Sequence, residues 1–116
     1  MKMPSIKTTV TKEITEGTRN NLINKFGEAI ALFPGKSETW LMLSFNDNTP
    51  MSFGGNSADD CALLEVALFG SAPDSAYDRM TAALSSIINE ELGIAPDKVY
   101  IKYEETNHWG WSGRNF

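Results

Sequence analysis

Apolar and polar residues alternate from Ser5 to Thr11. Ile6, Thr8 and Val10 fall on one side and Lys7, Thr9 and Thr11 on the other, the period of two that marks a half-buried strand. The period then lengthens. Leu22, Ile23, Phe26, Ala29, Ile30 and Phe33 recur at helical spacing, and Pro34-Gly35 ends the helix where the pattern stops. Trp40 to Phe45 is an apolar run broken only by Ser44, and the turn-forming stretch Asn46-Asp47-Asn48-Thr49-Pro50 follows it, so a strand running into a tight reversal is expected.

The second half repeats this plan. Cys61 to Phe69 (CALLEVALF) suits helix or strand on propensity, but its length and the flanking Gly54-Gly55 and Gly70 favour a mostly buried strand. A second helix is predicted next, capped by Asp74 or Ser75. Tyr77, Met80, Leu84, Ile87, Ile88 and Leu92 form its apolar stripe, and Gly93 stands where a left-handed terminal residue is wanted. Ala95-Pro96-Asp97-Lys98 turns the chain into the alternating strand Val99 to Tyr103.

Two strand–helix–strand units set side by side give an α/β fold: a four-stranded mixed sheet with both helices on one face. The other face is left bare. Trp40, Met42, Leu63 and Val66 are expected on it, and in so short a chain only further subunits can cover such residues. Oligomerisation is therefore predicted.

Composition narrows the function. One domain spanning 1–116 is expected, with residues 1–3 as an unprocessed or non-native extension ahead of it. A net charge of -5 with no basic stripe argues against nucleic-acid binding. No apolar run is long enough to span a membrane, and Met1 to Val10 lacks the apolar core of a signal peptide, so the cytoplasm is the expected address. Cys61 is the single cysteine, which excludes an internal disulfide and reads as a small buried hydrophobe. His108 is the single histidine and makes neither a metal site nor a triad. No metal or cofactor is indicated.

Five stretches carry a resemblance: Met3-Pro4, Gly35-Lys36 ahead of Trp40, Met51-Ser52-Phe53-Gly54-Gly55, Ala95-Pro96-Asp97-Lys98-Val99-Tyr100-Ile101, and Gly110-Trp111-Ser112-Gly113 with terminal Phe116. In this order and spacing the chain resembles the macrophage migration inhibitory factor family of the tautomerase superfamily from Met3 to Phe116. The resemblance implies a homotrimer whose sheets line a central barrel, with active sites between subunits. It also implies keto–enol tautomerisation of aryl pyruvates such as phenylpyruvate, with an amino-terminal proline as acid–base catalyst.

Carried over by position, Pro4 is the base and Lys36 binds carboxylate or polarises the carbonyl. Phe69 lines the pocket and offers its backbone amide, and Tyr100 comes from the neighbouring subunit. Lys102 stands where well-studied animal members have asparagine and adds a cation that favours a small anionic aryl keto acid or enol. Trp111 and Phe116 form an aromatic rim.

The residues taken alone allow plainer roles. Lys36 suits a solvated lysine after a helix end, Tyr100 suits core or interface packing, and Trp109 and Trp111 suit packing on a neighbouring subunit. Cys61-Ala62-Leu63-Leu64 lacks the second thiol of the Cys-x-x-Cys motif in some animal members, so no thiol–disulfide exchange is expected.

Pro4 carries a basic nitrogen only if the chain begins there. Here Met1-Lys2-Met3 precede it, and Lys2 blocks removal of an initiator methionine, so a free Pro4 requires a start at Met3 or a protease. The alternative is a non-catalytic trimer that engages a protein receptor, with leaderless secretion.

Overall fold

The computed structural model describes residues 3–115. β1 (Pro4–Val10) leads through α1 (Glu16–Ala29) to β2 (Met42–Asn46), and β3 (Ala62–Phe69) leads through α2 (Asp74–Leu92) to β4 (Val99–Thr106). A small hairpin of β5 (Gly110–Trp111) and β6 (Arg114–Asn115) follows. The main sheet has the order β2-β1-β3-β4. β1 is parallel to β2 and β3 to β4, while the two units meet antiparallel along β1 and β3. The predicted mixed sheet of two strand–helix–strand units is thus present.

Strand alternation decides which face the helices cover. Ile6, Thr8 and Val10 of β1 and Ala62, Leu64, Val66 and Leu68 of β3 are buried, with Leu22, Phe26, Met80, Leu84 and Ile88 of the helices completing the core. Val66 corrects the sequence reading. Leu63 and Val66 are three residues apart and so point to opposite faces, which places Val66 under the helices. Trp40 departs from it too, because it ends a 3-10 turn (Glu38–Trp40) ahead of β2 rather than opening the strand.

The open face is accordingly more polar than expected. Lys7, Glu65 and Lys102 are register neighbours across β1, β3 and β4. Glu65 lies 4.0 Å from Lys7 and 3.7 Å from Lys102, which is also 3.5 Å from Glu104. Met42 and Tyr100 are its exposed large apolar groups.

The helix ends follow local chemistry. Thr15 caps α1, its hydroxyl accepting the Thr18 N–H at 3.2 Å. The helix tightens into a 3-10 turn at Ile30–Leu32 before Pro34. Neither Asp74 nor Ser75 caps α2: Pro73 occupies that position and no side chain bonds there. Gly93 closes α2 at φ +67°, as predicted, and the Lys12 ammonium donates to the Leu92 carbonyl at 2.7 Å. On the outer surface Lys25 links α1 to Glu90 and Glu91 of α2 at 3.0 and 2.7 Å.

Candidate active site

Three pieces of chain meet where β1 begins and β3 ends. Pro4 and the preceding Met3 are buried, and Met3 is only 3% exposed. The Met3 carbonyl accepts the Phe69 N–H at 3.1 Å. Lys36 arrives from the turn after α1. Gly35 at φ +79° bends the backbone there, and the Lys36 N–H donates to the Phe33 carbonyl at 3.1 Å. The Lys36 side chain then runs inward, 5% exposed, and its ammonium donates to the Phe69 carbonyl at 3.4 Å. The solvated lysine that position alone allows is therefore replaced by a buried cation. Such a group is kept only where polar partners offset its lost hydration.

In front of Met3 and Pro4 lies a cleft of about 620 Å³, bounded by Trp40, Met42, Trp109 and Trp111. Trp40 and Trp111 meet edge to face, with ring centroids 5.0 Å apart. The two tryptophans come from distant segments. Trp40 is carried by the turn before β2, which can approach α1 because Gly27 lacks a side chain where Glu38 packs. Trp111 is held out by the β5–β6 hairpin, whose central Ser112 (φ +54°) and Gly113 (φ +83°) are both left-handed, the backbone of the tight two-residue turn. The sequence reading missed Trp40 and Met42 as cleft residues. The usable signal was an aromatic residue shortly after Gly35-Lys36, obscured because the apolar run looked like one strand.

Of the residues singled out from the sequence, Pro4, Lys36, Phe69 and Trp111 are brought to this end of the sheet. Tyr100 is not. Pro4 pairs with Leu68 and Leu68 with Glu105, so Tyr100 lies five residues along β4 from the row that holds Pro4. That is roughly 16 Å at ~3.3 Å per residue. Its ring is 63% exposed on the open face and touches Phe53, with centroids 4.9 Å apart. Lys102 projects from the same face, its ammonium engaged by Glu65 and Glu104. Phe116 lies outside the described residues.

A second concavity, of about 510 Å³, lies on the outer surface beside Tyr77, Tyr103 and Glu105. The Tyr77 hydroxyl donates to the Glu105 carboxylate, and burial, reinforced by that carboxylate, pushes its pKa up to about 12. Tyr77, Tyr103 and Phe33 pack edge to face behind it. A phenol held protonated and locked into an aromatic cluster is a structural tie between α2 and β4. Among the described residues, no group of three or more His, Cys, Asp or Glu side chains could hold a metal ion, and no helix is long and apolar enough to cross a membrane.

The fold and the sequence have relatives that agree with each other. The family model described as macrophage migration inhibitory factor (MIF) matches residues 1–116. The macrophage migration inhibitory factor of Xenopus laevis is 27% identical over 114 residues, covering 97% of this chain and 96% of that protein. The crystal structure of Leishmania major MIF2 superposes with a TM-score of 0.91 at 34% identity, over 98% of this chain and 97% of that one. The macrophage migration inhibitory factor of Toxoplasma gondii shares the fold, with a TM-score of 0.84 at 24% identity over 97% and 99% of the two chains. The sheet order, the buried proline at the head of β1 and a family match along the whole sequence converge on one conclusion: the chain belongs to the macrophage migration inhibitory factor family of the tautomerase superfamily.

Proposed function

We propose that this protein is a keto–enol tautomerase of aryl pyruvates such as phenylpyruvate, active as a homotrimer when the chain begins at Pro4. The observation that carries the reading is a buried Pro4 at the head of a tryptophan-walled cleft, linked through Met3 and Phe69 to a buried lysine.

The chemistry follows from that placement. An α-amino group titrates near ~8 and would be largely protonated at neutral pH. Burial and a neighbouring ammonium both disfavour the charged form, so a Pro4 secondary amine here would hold its lone pair near neutrality. It takes the proton from the carbon beside the ketone while the C–H electron pair becomes the enol double bond. The same proton is then returned at oxygen, leaving composition unchanged. Lys36 attracts the substrate carboxylate, and the aryl ring packs against the edge-to-face pair of Trp40 and Trp111. The Tyr100 hydroxyl of a neighbouring subunit bonds the carbonyl oxygen, and Lys102 strengthens the field for an anion.

Two features would silence a chain that keeps Met3. The Pro4 nitrogen is then an amide without a basic lone pair, and the Met3 carbonyl already occupies the Phe69 N–H that would bind substrate. These features favour a second reading for the untrimmed form, a non-catalytic trimer that engages a protein receptor.

Phenylpyruvate tautomerisation by the Pro4-terminal chain, by the chain beginning at Met1 and by Pro4→Gly decides between them. The tautomerase reading expects the Pro4-terminal form to exceed both others by about a hundredfold or more. Equal rates in all three would remove the enzyme and leave the receptor-binding reading.

A further inference from the structure

The exposed end of β4 carries a device that the catalytic reading does not use. Phe53 sits at the base of a two-residue turn: its N–H donates to the Asn56 carbonyl at 2.9 Å, and the Asn56 N–H donates back to the Phe53 carbonyl at 3.0 Å. Gly54 at φ +60° and Gly55 at φ +82° fill the central positions, where both residues must be left-handed. The turn is pinned from outside as well. Asn56 accepts the Ala58 N–H through Oδ1 at 2.7 Å and donates through Nδ2 to Asp59 at 3.0 Å. What this rigid corner presents is one aromatic ring. It lies 4.9 Å from the Tyr100 ring at an interplanar angle of 53°, and the Lys98 ammonium stands 5.2 Å from its centroid.

An exposed tyrosine on a strand ordinarily moves among its side-chain rotamers. Tyr100 is 63% exposed, yet its ring rests against Phe53, whose backbone is hydrogen-bonded through both its N–H and its carbonyl and whose ring bears a cation contact. We infer that Phe53, held by the Gly54-Gly55 turn and Lys98, is a positioning residue that sets the direction of the Tyr100 hydroxyl for a neighbouring subunit's cleft. The inference rests on the proposal that Tyr100 works in that cleft, and it adds which residue aims it. Phe53 itself does not touch substrate. Its loss acts through Tyr100, where a displacement of the order of 1 Å is costly.

The test is a double-variant cycle in the Pro4-terminal trimer with Phe53→Leu, which keeps apolar bulk in the turn, and Tyr100→Phe. Phe53→Leu is expected to lower kcat/KM about tenfold, and the double variant to fall no further than Tyr100→Phe alone. Phe53→Trp, which restores a ring, is expected to recover most of the loss. Independently of activity, three-bond couplings of Tyr100 should show its χ1 rotamer populations redistributed in Phe53→Leu with trimer mass unchanged. Losses that simply add, or a Phe53→Leu rate within about twofold of the parent, overturn the inference while leaving the tautomerase reading intact. A parent trimer without turnover removes the tautomerase reading instead, and unchanged Tyr100 rotamer populations in Phe53→Leu remove the positioning role.

Discussion

The two ends of the sheet are built on opposite plans. At the Pro4 end the candidate groups are withdrawn from water: Pro4 and Lys36 are buried, the Met3 carbonyl accepts the Phe69 N–H, and the Lys36 ammonium donates to the Phe69 carbonyl. At the Tyr100 end the corresponding groups stand in solvent, with Tyr100 and the Lys102 side chain 63% and 58% exposed. One end is complete as a folded wall and the other is complete only as a projection. In the proposed trimer the cleft of one copy and the projecting tyrosine of the next are the halves of a shared site, in keeping with the roughly 16 Å along β4 that separates the two within one chain.

The largest effects are expected at the buried end. Lys36→Gln is expected to lower kcat/KM about a hundredfold, since a preorganised charge in a low-dielectric wall acts strongly on an anionic transition state. Steady-state kinetics on phenylpyruvate checks it, and a loss below about threefold would mean that Lys36 serves packing alone. Trp40→Ala and Trp111→Ala are each expected to raise KM about tenfold with a smaller change in kcat, because in the proposed site the edge-to-face pair would bind the aryl ring in ground and transition states alike.

The exposed end should respond more weakly. Lys102→Gln is expected to raise KM only about threefold, with salt erasing the difference, because its ammonium is already engaged by Glu65 and Glu104 and sits in water. A hundredfold effect would show that the ion pairs open to receive substrate.

Between the two ends, the covered face holds an anomaly of stability. Thr8 is fully buried, and its hydroxyl has no hydrogen-bond partner among the described residues. Thr8→Val should therefore stabilise the chain by about 1 kcal/mol in urea unfolding, with no change in turnover.

The smallest effect belongs to the outer helix surface. Hydrogen bonds from Lys25 hold Glu90 and Glu91 below the usual carboxylate range, and the same bonds raise Lys25. The carboxylates contribute stability above their unfolded range and lose it as pH falls through their lowered folded values. The lysine contribution fades only as pH rises through its raised value. Glu90 is exposed and Lys25 and Glu91 are half-buried at the surface, so unfolding at low and high salt should show the acid-side loss shrinking as salt is added.

Much of the fold was legible because burial repeats with the period of each element. The alternation in Ser5–Thr11 and the helical spacing from Tyr77 to Leu92 were read with their buried faces correct, and Gly93 took the left-handed conformation its position required. The reading failed where an apolar residue gave no phase. Val66 and Leu63 look alike in composition, and only strand geometry separates the covered face from the open one. Trp40 looked like strand because an apolar run does not announce a 3-10 turn, so its place in the cleft went unread.

The residue types of the candidate site came from the family resemblance, and the distance between Pro4 and Tyr100 was not derivable from spacing. Tyr100 lies one sheet length from Pro4, and the Met3 carbonyl on the Phe69 N–H is a tertiary hydrogen bond with no local signature.

Mixed trimers test the shared site most directly. Pro4-terminal chains carrying Tyr100→Ala, co-assembled with chains carrying Pro4→Gly, contain sites in which a native Pro4 from one copy meets a native Tyr100 from the other. Each parent trimer should be nearly inactive, and the mixed trimers, verified by mass, should recover about a third of wild-type phenylpyruvate tautomerase activity. Mixed trimers no more active than their parents would contradict a site built from two copies.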